Sequence, residues 1–365
     1  MTKHNAANER VKRDYFRFLK EAKGRDEASI DATAKALARF EDSTSRKDFG
    51  KLHREQAIAF KRRLAEQLNA RTGERLSKGT LVSTMRHCRD FFMWLAREPG
   101  YRNRIAYSDA DYFNLSDKDV TVARARREKR VPTLAQVEHV LATMAGDAIT
   151  QRRDRALVAF TMLTGARVGA LASFRLGDVD LAAGRVDHDA RHVRSKFAKT
   201  FSTFFMPVSE QALAIFSDWH RELSADVTRG LDTPLFPATA IALDDQGAFT
   251  PAGLSRDGWS GTGPVRDVFK RAFAVAGLPY FNPHSFRDML VRHAMTLNLT
   301  PEAMKAWSQN LGHGDLLTTF TSYGQVATYR QGELIRLHGT IEPHRDPVAA
   351  LEAVLAEMKR NSSPG

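Results

Sequence analysis

Pro283-His284-Ser285-Phe286-Arg287, an amphipathic run, and then Leu311-Gly312-His313-Gly314-Asp315-Leu316-Leu317-Thr318-Thr319-Phe320-Thr321-Ser322-Tyr323 form the stretch from which the chain is read. On a helix, His284 and Arg287 stand three apart and project from one face, so a cation and a proton-transferring group reach the same anion. That pairing suits a phosphate. His313 follows a Leu-Gly turn, and Tyr323 lies ten residues later in a segment with no strong helical period, where a phenol can serve as a nucleophile.

Upstream of this stretch, Thr133 is a plausible cap for a helix carrying Leu134, Val137, Val140 and Leu141. A strongly apolar helix from Asp154 to Leu163 runs into Thr164-Gly165-Ala166-Arg167-Val168-Gly169-Ala170-Leu171. An arginine directly after a buried helix needs an anionic partner, either a carboxylate or a bound phosphate. Gly184 to His188 and Phe201 to Pro207 read as short strands, with Ser195 to Thr200 as the turn between them. Such a hairpin carries Lys196 into a cleft from the sheet side, with Lys199 as its competitor. Residues 226–263, rich in Pro, Gly and Asp, read as an irregular excursion anchored at Leu235-Phe236, and a helix from Val265 to Ala276 follows. Beyond Pro347, the residues Val348, Leu351, Val354, Leu355 and Met358 make a terminal amphipathic helix.

The charge divides unevenly. The formal net charge is +12, yet residues 1–130 hold 31 Lys and Arg against 19 Asp and Glu, whereas residues 131–365 hold 24 of each. The basic third carries four helical runs, near residues 8–22, 29–41, 53–69 and 77–97, the last capped by Ser77. A basic helical module joined to a neutral one suggests a polyanion grip attached to a second task. Lys61, Arg62, Arg63, Lys78, Arg86 and Arg89 are its candidate phosphate contacts. Between Asn114 and Pro132 the apolar period stops, and Ala123 to Arg130 holds five basic residues in eight. This reads as an interdomain linker whose Arg124, Arg126, Arg127, Lys129 and Arg130 lie along a phosphate backbone.

At 365 residues, with 42% hydrophobic residues, the chain is long and apolar enough for two cored domains. The expected division is a basic helical domain at 1–116, a linker at 117–132, a second domain at 133–345, and a C-terminal helix and tail at 346–365. No apolar run reaches the ~18 residues of a membrane span and the start lacks a secretory core, so a cytoplasmic protein is expected. A single cysteine, Cys88, rules out an internal disulfide and a cysteine-based zinc site of the usual ligand count.

Taken in order, Thr164-Gly165-Ala166-Arg167 with Leu171, the hairpin Lys196, His284-x-x-Arg287, Leu311-Gly312-His313, and Thr318-Thr319 shortly before Tyr323 resemble the tyrosine recombinases, the phage integrases and their relatives. The resemblance covers nearly the whole chain. It implies a mainly α fold with a small β-sheet: a helical DNA-binding domain followed by an α+β catalytic domain. Attack of a phenolate on a phosphodiester places charge on the nonbridging oxygens, which Arg167, Arg287 and His313 would stabilise. Tyr323 would be the nucleophile, His284 the base or a phosphate-side hydrogen-bond partner, and Lys196 the acid for the leaving 5′ oxygen. Neither metal nor ATP nor another cofactor is implied. The implied partners are double-stranded DNA at specific sites and three further copies of the chain in a tetrameric synapse, with accessory DNA-bending proteins compatible. The terminal helix would be the contact between protomers. With the first helical run beginning near residue 8, no arm-binding domain is expected ahead of it.

Two departures from the family pattern stand out. Many relatives carry an acid three places after the first arginine, where this chain has Ala170; Asp288 is one substitute. The interval from His313 to Tyr323 is one residue longer than usual, which keeps Tyr329 as a rival nucleophile. Integration or excision of a mobile element is the expected task. The alternatives are a topoisomerase or resolvase of DNA ends using the same chemistry, and a catalytically silent DNA-binding regulator.

Overall fold

The computed structural model describes residues 4–70, 72–124, 130–195, 199–297 and 299–312. The chain forms two compact units, Met1–Arg126 and Arg127–Gly365. Both are mainly helical, and the second adds small antiparallel sheets.

In the first unit, α1 (Ala6–Arg17) runs into a π-helical turn (Phe18–Ala22) and is followed by α2 (Glu27–Ser43), α3 (Arg54–Glu66) and α4 (Lys78–Leu95). Asn5, Asp26 and Ser77 cap α1, α2 and α4 with side-chain oxygens, satisfying donors that the first turn leaves unpaired. Phe40 centres the core, with ring centroids 5.1 Å from Phe92, 5.2 Å from Phe60 and 5.5 Å from Phe113. Buried Cys88 packs among these helices. One ion pair is deeply placed: Glu41, 2% exposed, accepts from Lys12 Nζ at 2.7 Å and from Asn8 Nδ2 at 3.1 Å.

The unit extends beyond the four expected helices. Short α5 (Tyr107–Asp111) follows, and the stretch read as the start of a linker forms α6 (Asp117–Arg124), packed on α4. Ser116 Oγ accepts from Asp119 N at 3.2 Å, and Lys78 Nζ pairs with Asp119 Oδ1 at 2.7 Å. This helix is held by a cap and a polar pair more than by apolar burial, so a period-based reading passes over it.

The second unit opens with α7 (Leu134–Thr143), closed at its start by a reciprocal Thr133–Gln136 capping box, and α8 (Ile149–Thr164). From Ala156 to Thr164 every residue of α8 is buried, which makes it the central core helix. Next come α9 (Val168–Leu171), then β1 (Val179–Asp180), β2 (Arg185–His188) and β3 (Phe201–Phe204) in one antiparallel sheet of that order, then α10 (Glu210–Ala225). In β2–β3 register, Val186 faces Thr203 and His188 faces Phe201.

The excursion read as irregular contains a hairpin, β4 (Thr239–Leu243) and β5 (Phe249–Leu254). Its turn is built by Asp244, whose Oδ1 accepts from the backbone of Gln246 at 2.9 Å and Ala248 at 2.8 Å, with Gly247 at φ +75°. Buried Arg153 of α8 ties the hairpin down through Pro237 O at 2.8 Å and Thr239 Oγ1 at 3.1 Å, while pairing with Asp154 and covering the Trp259 ring. The strands escape a pattern reading because Ala and Pro interrupt the alternation and much of the hairpin is exposed. The remaining helices are α11 (Gly263–Val275), α12 (Pro283–Thr296) and α13 (Pro301–Asn310). No described helix is long and apolar enough to cross a membrane.

Candidate active site

Helix α8 ends where Gly165 takes φ +59°, its N–H bonded to Thr161 O at 2.9 Å. A side chain here would also lack room: an added Cβ would lie 2.9 Å from Leu311 Cδ2 and 3.0 Å from Leu290 Cδ1. The turn therefore sits directly on α12 and on the segment leading to His313. Arg167, half-buried, is the residue that caps α9 immediately after this turn.

Arg287 lies on α12, which begins at Pro283 with Asn282 Oδ1 accepting from His284 N at 3.0 Å. It is 2% exposed. Its Nη1 donates to Gly165 O at 2.7 Å and its Nη2 donates to Leu311 O. One guanidinium thus bolts the Arg167 turn to the Leu311-Gly312 turn, using two of its five N–H donors.

Arg167 and Arg287 line one pocket with Ala170, His188, Ser195 and Phe201. His284 is exposed at the first turn of α12 and is not among the described lining residues. Arg287 lines the pocket, and His284 stands at the N-terminus of α12, whose dipole itself favours an anion. Asp288 is buried one residue further along α12, roughly 100° around the helix from Arg287, and does not line the pocket. Lys196, His313, Tyr323, its rival Tyr329 and the terminal segment 346–365 lie outside the described residues.

The part of the β2–β3 connection ahead of Lys196 is docked on the body of the unit. Arg194 donates from Nη2 to Ala172 O and Trp259 O, both at 2.9 Å, and its backbone N bonds Ser173 Oγ at 2.8 Å. Gly169 lies so close beneath that an added Cβ would come within 3.0 Å of Arg194 O. Ser195 is thereby held at the pocket next to the Arg167 turn, and its Oγ donates to Lys199 O at 2.8 Å. Lys199 itself is exposed.

Among the expected DNA contacts, Arg62, Arg86 and Arg130 are exposed, and Arg63 reaches Ser43 O at 3.2 Å. Three others turn toward the segment ahead of and within α6: Lys61 Nζ donates to Asn114 O, Arg89 Nη1 to Asn114 Oδ1 at 3.0 Å, and Lys78 pairs with Asp119. Arg126, Arg127 and Lys129, and the side chain of Arg124, lie outside the described residues. Among the described residues no group of three His, Cys, Asp or Glu is placed to hold a metal ion.

No family model matches the chain. It is 23% identical over 247 residues to tyrosine recombinase XerC of Xanthomonas axonopodis pv. citri, covering 67% of this chain and 67% of that one. It is 23% identical over 266 residues to tyrosine recombinase XerD of Neisseria meningitidis serogroup B, covering 70% and 74%. The family that these relatives support is that of the tyrosine recombinases. The fold of the chain is also that of solved integrases. A lambda integrase dimer bound to a COC′ core site superposes with a TM-score of 0.58 at 13% identity, over 88% of this chain and 96% of the other. The Tn1549 transposon integrase in complex with a circular intermediate DNA gives 0.56 at 16%, over 89% and 99%.

Within this recombinase fold the pocket includes a group the motif reading passed over, His188. It is 4% exposed at the end of β2, its ring stacked 4.1 Å from Phe201 and edge-on 4.9 Å from Phe174. Burial first, then the Arg287 and Arg167 charges, pushes it down to about 4, so it is neutral at physiological pH. The signal was present in the strand alternation: Val186 and His188 share a face, and a histidine on a core-facing strand position is unusual.

Proposed function

We propose that this chain is a site-specific DNA recombinase that breaks and rejoins strands through a 3′-phosphotyrosyl intermediate, in the service of a mobile element. The observation that carries the reading is the convergence of Arg167 and Arg287 on one pocket, with Arg287 also bonded to the residue two places ahead of His313. Two fixed guanidiniums suit the charge that develops on the nonbridging oxygens of a phosphodiester under attack.

In this reading the Tyr323 phenol attacks phosphorus, the Tyr O–P bond forms as the P–O5′ bond breaks, and the 5′ oxygen leaves with a proton from Lys196. His284 takes the phenol proton, and His313 adds a donor to the clamp. The ester keeps the energy of the broken bond, so a 5′ hydroxyl from a partner strand reverses the step and joins the ends. The basic first unit supplies the salt-dependent, sequence-independent share of affinity. DNA-bound relatives, including a lambda integrase tetramer on a Holliday junction, support a duplex partner and a four-protomer assembly here. The segment 346–365 is our candidate for the contact between protomers.

Covalent trapping tests the reaction. The full chain is incubated with labelled fragments from the DNA flanking its gene, nicked so that the 5′ end is lost after cleavage, and denatured. Label should migrate with the protein, disappear in Tyr323→Phe and persist in Tyr329→Phe. Loss in Tyr329→Phe alone moves the nucleophile. Salt-sensitive binding without any adduct refutes the catalytic reading in favour of a silent regulator.

A further inference from the structure

We propose, building on the recombinase reading above, that His188 is a positioning residue of the site: a buried imidazole that locks the Asn310–Gly312 turn onto β3 beside the two arginines. Three independent contacts carry this. His188 Nε2 lies 3.1 Å from Thr203 Oγ1, and Thr203 Oγ1 donates to Asn310 O at 2.9 Å. The Asn310 side chain continues the sheet edge, Oδ1 accepting from Phe204 N at 2.6 Å and Nδ2 donating to Phe204 O at 2.8 Å. Gly312, at φ +67°, rests against the Phe201 ring, where an added Cβ would come within 2.5 Å, and the same ring stacks on His188.

The proton count fixes the tautomer. Thr203 has one hydroxyl proton, and the Asn310 carbonyl takes it, so Nε2 of His188 must donate to Thr203 Oγ1. Neutral His188 therefore carries its hydrogen on Nε2 and keeps the Nδ1 lone pair. With Arg167 and Arg287 lining the same pocket, a second hydrogen on the ring would add a third cation there. Ala170, which lines the same pocket, contributes only a methyl group. The charged groups acting on His188 are Arg287 from α12, Arg167 from the turn after α8, and Asp187 from its own strand; burial and the arginines outweigh Asp187, which acts the other way. Because His313 follows Gly312 directly, the turn that His188 secures is the one that delivers the second histidine of the motif.

Two measurements test this, one independent of catalysis. With nitrogen-15 histidine in the full chain, the His188 imidazole is assigned by its absence in His188→Gln, and its ring signals should show the neutral Nε2–H form from pH 7 down to 5. An imidazolium forming near the ordinary 6.5, or an Nδ1–H form, overturns the proposal. Adduct formation is then followed on a nicked duplex carrying the site recovered by trapping. His188→Ala and Thr203→Val should each slow it about 10- to 100-fold at saturating DNA, with half-saturation unchanged, as expected when a reacting group is misplaced by ~1 Å. His188→Gln, which keeps a donor and an acceptor, should recover part of the rate. Wild-type rates in both variants, or a loss confined to half-saturation, overturn the assignment. A wild type that makes no adduct refutes the recombinase reading instead, and the imidazole spectrum still decides His188.

Discussion

Gly312→Ala is the most informative single perturbation of this site. Gly312 sits at φ +67°, and an alanine Cβ built there would lie 2.5 Å from Phe201 Cζ and 2.7 Å from Cε2. The left-handed backbone costs a non-glycine residue roughly 1–2 kcal/mol. Relieving the overlap means moving a ring or the turn by about 1 Å to reach an ordinary carbon contact of ~3.5 Å, and such overpacking costs roughly 1–3 kcal/mol. The two contributions together come to roughly 2–5 kcal/mol. At ~2–4 °C per kcal/mol for a unit of this size, Tm should fall by roughly 4–20 °C. Phe201 cannot yield freely, because its ring also stacks on His188 at 4.1 Å. Part of the movement must therefore appear in the turn that leads to His313, and a shift of ~1 Å there should slow adduct formation by about 100-fold. Differential scanning calorimetry and covalent trapping on nicked DNA measure the two effects, and Gly312→Ala/Phe201→Ala should regain part of the lost rate but keep the backbone penalty. A Gly312→Ala protein with wild-type Tm and wild-type adduct rate refutes the packing argument.

Three further outcomes are expected. His188 is depressed to about 4 from an ordinary 6.5, so the unfolded chain binds its proton first as pH falls; the stability it contributes is complete above ~6.5 and is lost toward 4. Urea unfolding at pH 7 and pH 4.5 should therefore show about 2–3 kcal/mol more acid loss in the wild type than in His188→Gln, and parallel losses would refute the assignment. Arg153→Ala removes a buried guanidinium that holds Asp154, Pro237 O and Thr239, and should cost about 3–5 kcal/mol in denaturant unfolding, whereas a loss below 1 kcal/mol would show that these contacts carry no stability. Arg86→Ala, at an exposed cation, should lower DNA affinity and reduce the salt slope by ~1, while Lys61→Ala, whose ammonium is engaged with Asn114 O, should change the slope little; filter binding across salt concentrations distinguishes them, and equal slopes would refute the distinction.

Much of the molecule was legible before any coordinates. Helices bounded by Ser77 and Thr133 announce themselves, because capping is a local exchange between one side chain and the next turn's amides. The β2–β3 pairing followed from two short strand runs, while the docking of Arg194 on Ala172 O and Trp259 O was not legible in them. Helix α6 and the β4–β5 hairpin were not legible, since one is secured by polar contacts and the other is mostly exposed, leaving little apolar period to detect.

By itself the sequence determined the order of Arg167, Lys196, His284, Arg287, His313 and Tyr323, the basic bias of the first third, and the residue types that phosphoryl chemistry requires. Tertiary packing decided what those residues do for one another. Arg287 reaches Gly165 across 122 positions and Leu311 across 24, and no local rule specifies that a motif arginine is also a bolt between two turns. His188 acquires its neutrality only where a strand end, two aromatic rings and two guanidiniums meet in one buried volume. Motifs record the atoms that chemistry needs, because those identities lie along the chain. Dielectric, donor allocation and proton position belong to the packed interior, because each depends on neighbours that only folding brings together.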